Sequence, residues 1–244
     1  MRPLVVRPRL QAEQLASRLQ QAGHHPIVHP LIELQPGPGL ITLPQQLTQA
    51  DCVIAVSQHA VQFAQDYLLQ TGLNWPHIDY FAVGEASAKL WLDVGLTVTW
   101  PDDPRSEGLL ALPALQQVAD RRILILRGTQ GRELIADTLR QRGATVEYCA
   151  TYVRHYPSQD GVALCQYWRA AGLDSLLITS AELMQTLEQT IPHCDREWLH
   201  QLPIIVPSPR VAALASQTGF VDITTAKGAD DRALLEALEQ RNHP

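Results

Sequence analysis

The chain has 244 residues, enough for one large domain or two of ordinary size. It is 45% hydrophobic and 18% charged, which suits a packed core and excludes wholesale disorder. A formal charge of −6 argues against a general nucleic-acid binder or an anionic-membrane protein, which carry net positive charge.

The opening Met1-Arg2-Pro3-Leu4-Val5-Val6-Arg7-Pro8 is apolar only from Leu4 to Val6, too short for a signal peptide's apolar segment. No apolar run approaches the ~18 residues of a membrane helix. The expectation is a cytoplasmic protein with neither nucleic acid nor membrane as a partner. After a short strand at Leu4-Val5-Val6-Arg7, residues 11–21 carry a helical pattern with Leu15 and Leu19 four apart, closed by Gly23. His24, His25 and His29 follow, but no Cys or carboxylate completes a metal-ligand spacing, so they read as solvated or helix-terminal side chains. Residues 27–36 read as one long extended stretch, and Gly37-Pro38-Gly39 as a simple turn. Further apolar runs suit buried parallel strands: Val53-Ile54-Ala55-Val56, Phe81-Ala82-Val83, Leu124-Ile125-Leu126, Leu176-Leu177-Ile178 and Ile204-Ile205-Val206. Between the third and fourth lie a helical segment at 133–142, Gly143, and a second long extended stretch at 146–157. The four cysteines, Cys52, Cys149, Cys165 and Cys194, are scattered without a CxxC and read as reduced, buried thiols.

These elements repeat. Leu4-Val5-Val6-Arg7 resembles Leu124-Ile125-Leu126-Arg127, and a glycine follows each arginine sixteen residues on. Val53-Ile54-Ala55-Val56-Ser57 matches Leu176-Leu177-Ile178-Thr179-Ser180 at an offset of 123, and Gly95 matches Gly219 at 124. Phe81-Ala82-Val83-Gly84 answers Ile204-Ile205-Val206-Pro207-Ser208, and Leu109-Leu110 answers Leu234-Leu235. Anchors in constant order mark a duplication. The predicted fold is α/β: two similar parallel-sheet α/β domains, each one copy of the unit. The two long extended stretches occupy equivalent places and are expected to form a two-stranded hinge at 34–38 and 150–156. Residues 1–34 with 156–244 then make a discontinuous domain, residues 38–150 an inserted one, and a ligand site is expected in the cleft between them.

In open parallel sheets, ligands bind beyond the carboxyl ends of the strands. The residues predicted there are Arg7, Ser57, Gln58, Gly84, Glu85, Arg127, Gly128, Thr179, Ser180 and Ser208. Hydroxyls, helix N-termini and guanidinium forks suit carboxylate or phosphate. The serines, and Ser87 with them, are equally N-caps, which helices need in any case. Arg7 and Arg127 either meet a ligand or hinge, or pair with an acidic neighbour. No dinucleotide or P-loop glycine pattern, no G-x-S-x-G and no close aspartate pair is present, so no cofactor and no metal is expected.

Taken in order, several stretches resemble the uroporphyrinogen-III synthase family over the whole chain. They are Val5-Val6-Arg7-Pro8-Arg9, Pro30-Leu31-Ile32-Glu33-Leu34, Ser57-Gln58-His59-Ala60-Val61, Ala82-Val83-Gly84-Glu85-Ala86-Ser87-Ala88 and Ser106-Glu107-Gly108-Leu109-Leu110. Leu126-Arg127-Gly128-Thr129-Gln130-Gly131-Arg132-Glu133-Leu134, Tyr152 and Thr179-Ser180 complete the series. Val56, His59, Glu182 and Pro207-Ser208-Pro209 depart from the family pattern. The resemblance implies two α/β domains and cofactor-free, dehydrating cyclisation of hydroxymethylbilane, a linear tetrapyrrole polycarboxylate, with inversion of its last ring. It implies that Tyr152 protonates the departing hydroxyl, the other role for Tyr152 being a packing residue of the hinge. The protein is expected to be a monomer. The competing expectation is a non-catalytic two-domain module that binds small polyanions.

Overall fold

The computed structural model describes residues 1–242 of the chain. By contacts between Cα atoms it divides into two compact units. One comprises Met1–Glu33 with the segment that begins at His155, the other Leu34–Arg154.

Among the described residues the first unit holds five strands: β1 (Pro3–Val5), β2 (Ile27–Val28) and, after the other unit's elements, β9 (Ser175–Leu177), β10 (Ile204–Val206) and β11 (Ile223–Thr225). The second is built on β3 (Glu33–Pro36), β4 (Cys52–Ala55), β5 (Asp79–Ala82), β6 (Val98–Thr99), β7 (Arg122–Gly128) and β8 (Thr145–His155). The sheets run β2-β1-β9-β10-β11 and β3-β8-β7-β4-β5-β6. Without β3, both show the doubly wound order 2-1-3-4-5, with β1 equivalent to β7 and β9 to β4, and neighbours among these ten strands pair in parallel. The duplication read from the chain is therefore a duplication of sheet order.

Helices connect the strands: α1 (Arg9–Gln21), α2 (Leu43–Gln49), α3 (Gln58–Gln70), α4 (Glu85–Leu92), α5 (Ser106–Ala111), α6 (Leu134–Gln141), α7 (Gly161–Ala170), α8 (Ala181–Thr190), α9 (His193–Gln201), α10 (Pro209–Thr218) and α11 (Asp231–Asn242). No helix among the described residues is long and apolar enough to cross a membrane. The unbroken apolar runs are explained by burial on both faces of each sheet. In the second unit, Val53, Ala55, Leu124 and Leu126 pack with Trp75, Tyr80 and Trp91 on one face. Cys52, Ile54, Ile123 and Ile125 pack with α5 and α6 through Leu109, Ile135 and Leu139 on the other. In the first, Val5, Leu177 and Ile205 meet Leu15 and Leu19 of α1 and Leu234 and Leu238 of α11. Gly23, Gly95, Gly143 and Gly219 all take positive φ just beyond helices, which is why they could be read as terminators.

Three local expectations need correction. Residues 27–36 are not one extended stretch: Pro30 has no N–H to give, the chain bends at Leu31, and β2 and β3 are separate strands. Gly37-Pro38-Gly39 is more than a turn, because it opens a 3-10 helix packed on β8. A Cβ at position 37 would lie 2.2 Å from the Ala150 carbonyl oxygen, so only glycine allows that approach. Cys52, Cys149 and Cys165 are buried thiols, but Cys194 is exposed. Burial pushes the thiols of Cys52 and Cys149 up to about 12 and that of Cys165 to about 11.

Candidate active site

In a sheet of order 2-1-3-4-5, the crevice opens where adjacent strands send their chains to opposite faces, at the carboxyl ends of the neighbouring strands numbered 1 and 3. In the second unit this point lies between β7 and β4, and Tyr152 sits there. Residues of β8 pair with β7 in step until Arg127 faces Ala150. Then the register slips, and Gly128 faces Tyr152. Strict alternation would put Thr151 on the face of Cys149. The bulge instead turns Thr151 aside, with its hydroxyl donating to the Arg127 carbonyl at 3.3 Å, and brings Tyr152 onto that face.

The Tyr152 ring is buried. It stacks on Phe63 (centroids 6.1 Å apart) and meets His59 edge-on at 5.9 Å. A Cβ on Gly128 would lie 2.8 Å from the ring, so the missing side chain leaves room for the phenol. Its oxygen lies 3.4 Å from Ser57 Oγ. Ser57 caps α3 by accepting from Ala60 N–H at 3.2 Å, and its own O–H is placed to donate to the Tyr152 oxygen. His59 lies beside the Tyr152 ring with its Nε2 buried and unpartnered among the described residues, and burial, then the charge of Arg154, pull its pKa down to about 4. The imidazole there is neutral at physiological pH.

The other expected residues divide by unit. Gln58 opens α3, Gly84 caps α4 without a side-chain bond, and Glu85 follows in its first turn. In the first unit, Ser180 accepts from Leu183 N–H at 3.1 Å and Ser208 from Val211 N–H at 3.4 Å, so both are N-caps, and Thr179 precedes the first of them. The caps share an extended backbone near φ −160°, and Gly84 adopts the same shape at the position equivalent to Ser208.

Both arginines turn out to be paired. Arg7 is buried, 2.5 Å from Asp231 at the start of α11, and it also donates to the Ala229 carbonyl, so its guanidinium fastens α11 to the end of β1. Arg127 is equally buried, 2.8 Å from Glu133 and 4.5 Å above the Tyr148 ring. Tyr148 donates to the other oxygen of Glu133. That bond and Arg127 hold the Glu133 carboxyl below the usual carboxylate range, while burial and Glu133 push the Tyr148 phenol up.

Beside Arg127 the second unit carries a pocket of about 290 Å³ that brings in Arg105, Ser106 and Arg132. Those three were missed, although arginines in polar loops that follow strand ends were a readable signal. The first unit has a larger open depression of about 840 Å³ at the C-terminal ends of α8 and α10 and along α9. Because both helices start at strand carboxyl ends, that depression lies at the opposite end of the sheet from the caps, away from Thr179, Ser180 and Ser208.

The family model described as "Uroporphyrinogen-III synthase HemD" matches residues 13–236. The uroporphyrinogen-III synthase of Escherichia coli (strain K12) is 44% identical over 243 residues, 97% of this chain and 99% of that protein. That of Salmonella typhimurium (strain LT2) is 42% identical over the same shares. Among solved structures, uroporphyrinogen-III synthetase from Helicobacter pylori 26695 superposes with a TM-score of 0.64 at 18% identity, covering 99% of this chain and 100% of that one. A mutant uroporphyrinogen III synthase from Thermus thermophilus gives 0.63, also at 18%, over 99% and 98%. At that identity the structures speak for the two-sheet α/β fold, and the sequence matches speak for the lineage. This chain belongs to the uroporphyrinogen-III synthase family, HemD.

Proposed function

We propose that the chain is a hydro-lyase that closes hydroxymethylbilane to uroporphyrinogen III, with Tyr152 as the group that assists departure of the hydroxyl. In this reading the phenol donates to the terminal hydroxyl, the C–O bond breaks, and water leaves. The resulting azafulvene is attacked by a substituted carbon of the last ring to give a spiro intermediate. Reopening and closure at the other position invert that ring, and the final proton loss restores the pyrrole. The linear substrate is reactive by itself, so the protein's task is to hold one shape and to stabilise the leaving oxygen. Ser57, Gln58, Gly84, Glu85, Gly128, Thr179, Ser180 and Ser208, with Arg127, are the proposed contacts for the substrate's carboxylate arms and its reacting end. Arg7 is the weakest member of the set, because Asp231 and Ala229 occupy its guanidinium.

The observation that carries the reading is the placement of the Tyr152 hydroxyl, 3.4 Å from Ser57 Oγ at the β7–β4 switch point, in a chain of this family. Family membership does not favour the non-catalytic binding module. Purified protein incubated with hydroxymethylbilane, followed by oxidation and chromatographic separation of the porphyrin isomers, tests the reading. Type III product above the spontaneous type I background is expected, and type I alone would overturn it.

A further inference from the structure

The pocket beside Arg127 has a charge pattern that calls for an anion. Its floor is apolar, from Val83, Ile125 and Ile135, and Arg105, Arg127 and Arg132 surround it. Arg105 is matched by a bidentate pair with Asp103, both bonds 2.7 Å, and Arg127 by Glu133. Arg132 has no ion pair or hydrogen bond among the described residues, so the pocket keeps one unmatched positive charge.

The pairing at Arg127 is lopsided. Its side chain is 8% exposed and its guanidinium permanently charged, and it therefore needs a partner, whereas the Glu133 side chain is 52% exposed on a loop. An incoming carboxylate can replace the Glu133 carboxylate there without leaving the buried cation unpaired, while the other Glu133 oxygen keeps its bond from Tyr148. Gly131 keeps that face open: a Cβ there would lie 2.7 Å from an Arg127 guanidinium nitrogen. A volume of about 290 Å³ is at the small end for ligand pockets, room for part of a tetrapyrrole rather than the whole.

We propose that this pocket receives one carboxylate arm of the substrate, which takes the place of Glu133 on Arg127 and meets Arg132 and Arg105 at the mouth. The inference rests on the tetrapyrrole substrate proposed above. Glu133 is then an internal stand-in that keeps Arg127 oriented and paired until substrate arrives.

Steady-state kinetics on hydroxymethylbilane with Arg132→Ala and Glu133→Gln test this. Arg132 is exposed and unpartnered among the described residues, so its loss leaves the fold intact and is expected to raise KM about tenfold with kcat within about twofold. Removing the internal competitor by Glu133→Gln is expected to lower KM about threefold, the opposite of what a purely structural clamp gives. A second arm measures binding of uroporphyrin III, the oxidised octacarboxylate, by fluorescence quenching. Arg132→Ala should weaken it by a factor similar to the KM change. Unchanged KM and unchanged porphyrin affinity in Arg132→Ala, or a raised KM in Glu133→Gln, overturns the pocket. Wild-type protein that does not turn over hydroxymethylbilane overturns the proposed reaction instead, while the porphyrin arm still decides the pocket.

Discussion

Replacing Tyr152 with Phe removes one oxygen and leaves every ring contact in place, so it separates chemistry from packing. The stacking on Phe63 and the edge contact with His59 belong to the ring, and the nearest atoms over Gly128 are ring carbons. Among the described residues the hydroxyl's hydrogen bond is the long one to Ser57, at 3.4 Å, and Ser57 keeps its cap bond to Ala60 without it. A neutral bond of that length contributes about 0.5 kcal/mol or less, so the melting temperature should move by no more than about 2 °C. The rate is another matter. General-acid assistance typically supplies ~10²–10⁴-fold, and this leaving group departs readily unaided, so a loss of about tenfold to a hundredfold in kcat is expected. Type III product should still dominate, because ring inversion depends on the shape that holds the bilane. The assay is kcat together with the isomer ratio on protein of wild-type melting temperature. An unchanged rate would refute the proton-donor role, and a switch to type I product would make the phenol a shaping group instead.

Gly128→Ala should disturb the same ring from beneath: its Cβ would lie 2.8 Å from a ring held between His59 and Phe63, costing about 1–3 kcal/mol in urea unfolding and lowering kcat. Ser57→Ala, Ser180→Ala and Ser208→Ala each remove an N-cap acceptor and should each cost about 1 kcal/mol of stability while weakening product binding by about tenfold or less; abolished binding in any one of them would contradict a distributed carboxylate site. His59 titrates near 4 in the folded chain against 6.5 when unfolded, so the unfolded state takes up the proton first and stability falls between pH 6.5 and 4, by up to about 3 kcal/mol, with nothing lost above 6.5. His59→Gln should flatten the stability curve over that window, and identical slopes for the two proteins would show that His59 is not buried uncharged.

Much of this architecture could be read along the chain, for physical reasons. Runs such as Val53-Ile54-Ala55 and Leu124-Ile125-Leu126 are unbroken because both sheet faces are covered, and they announce parallel strands without reference to their neighbours. The serines after the strands are visible because capping is local: Ser57, Ser180 and Ser208 each accept from an N–H three residues on. What stayed hidden depends on partners distant in sequence. The slip at Arg127 and Gly128 is a property of two strands in register, and nothing in Ala150-Thr151-Tyr152 alone says which of the last two faces inward. The seat of Gly37 and Gly39 on β8 joins positions more than a hundred residues apart, so the glycines looked like an ordinary turn. Arg105 and Arg132 belong to different loops that only folding brings to one pocket.

The duplication makes the two buried arginines a controlled comparison. Arg7 and Arg127 occupy equivalent strand ends, and both are driven to a carboxylate because a buried guanidinium cannot shed its charge. Their partners differ in kind. Asp231 is itself 19% exposed, takes Arg18 as well as Arg7, and opens a helix whose leucines lie in the core of the first unit, so exchanging it for a ligand would loosen α11. Glu133 is 52% exposed, lies six residues downstream on the loop that also holds Gly131 and Arg132, and makes no side-chain cap bond to α6, so exchanging it on Arg127 leaves the helix start and the bond to Tyr148 in place. Equivalent backbone positions have thus been given unequal freedom: the arginine of the first unit is committed to holding a helix, and that of the second can trade one carboxylate for another. A ligand role inferred from the repeat alone would be assigned to both, and the identity of the acid that answers each arginine is what separates them.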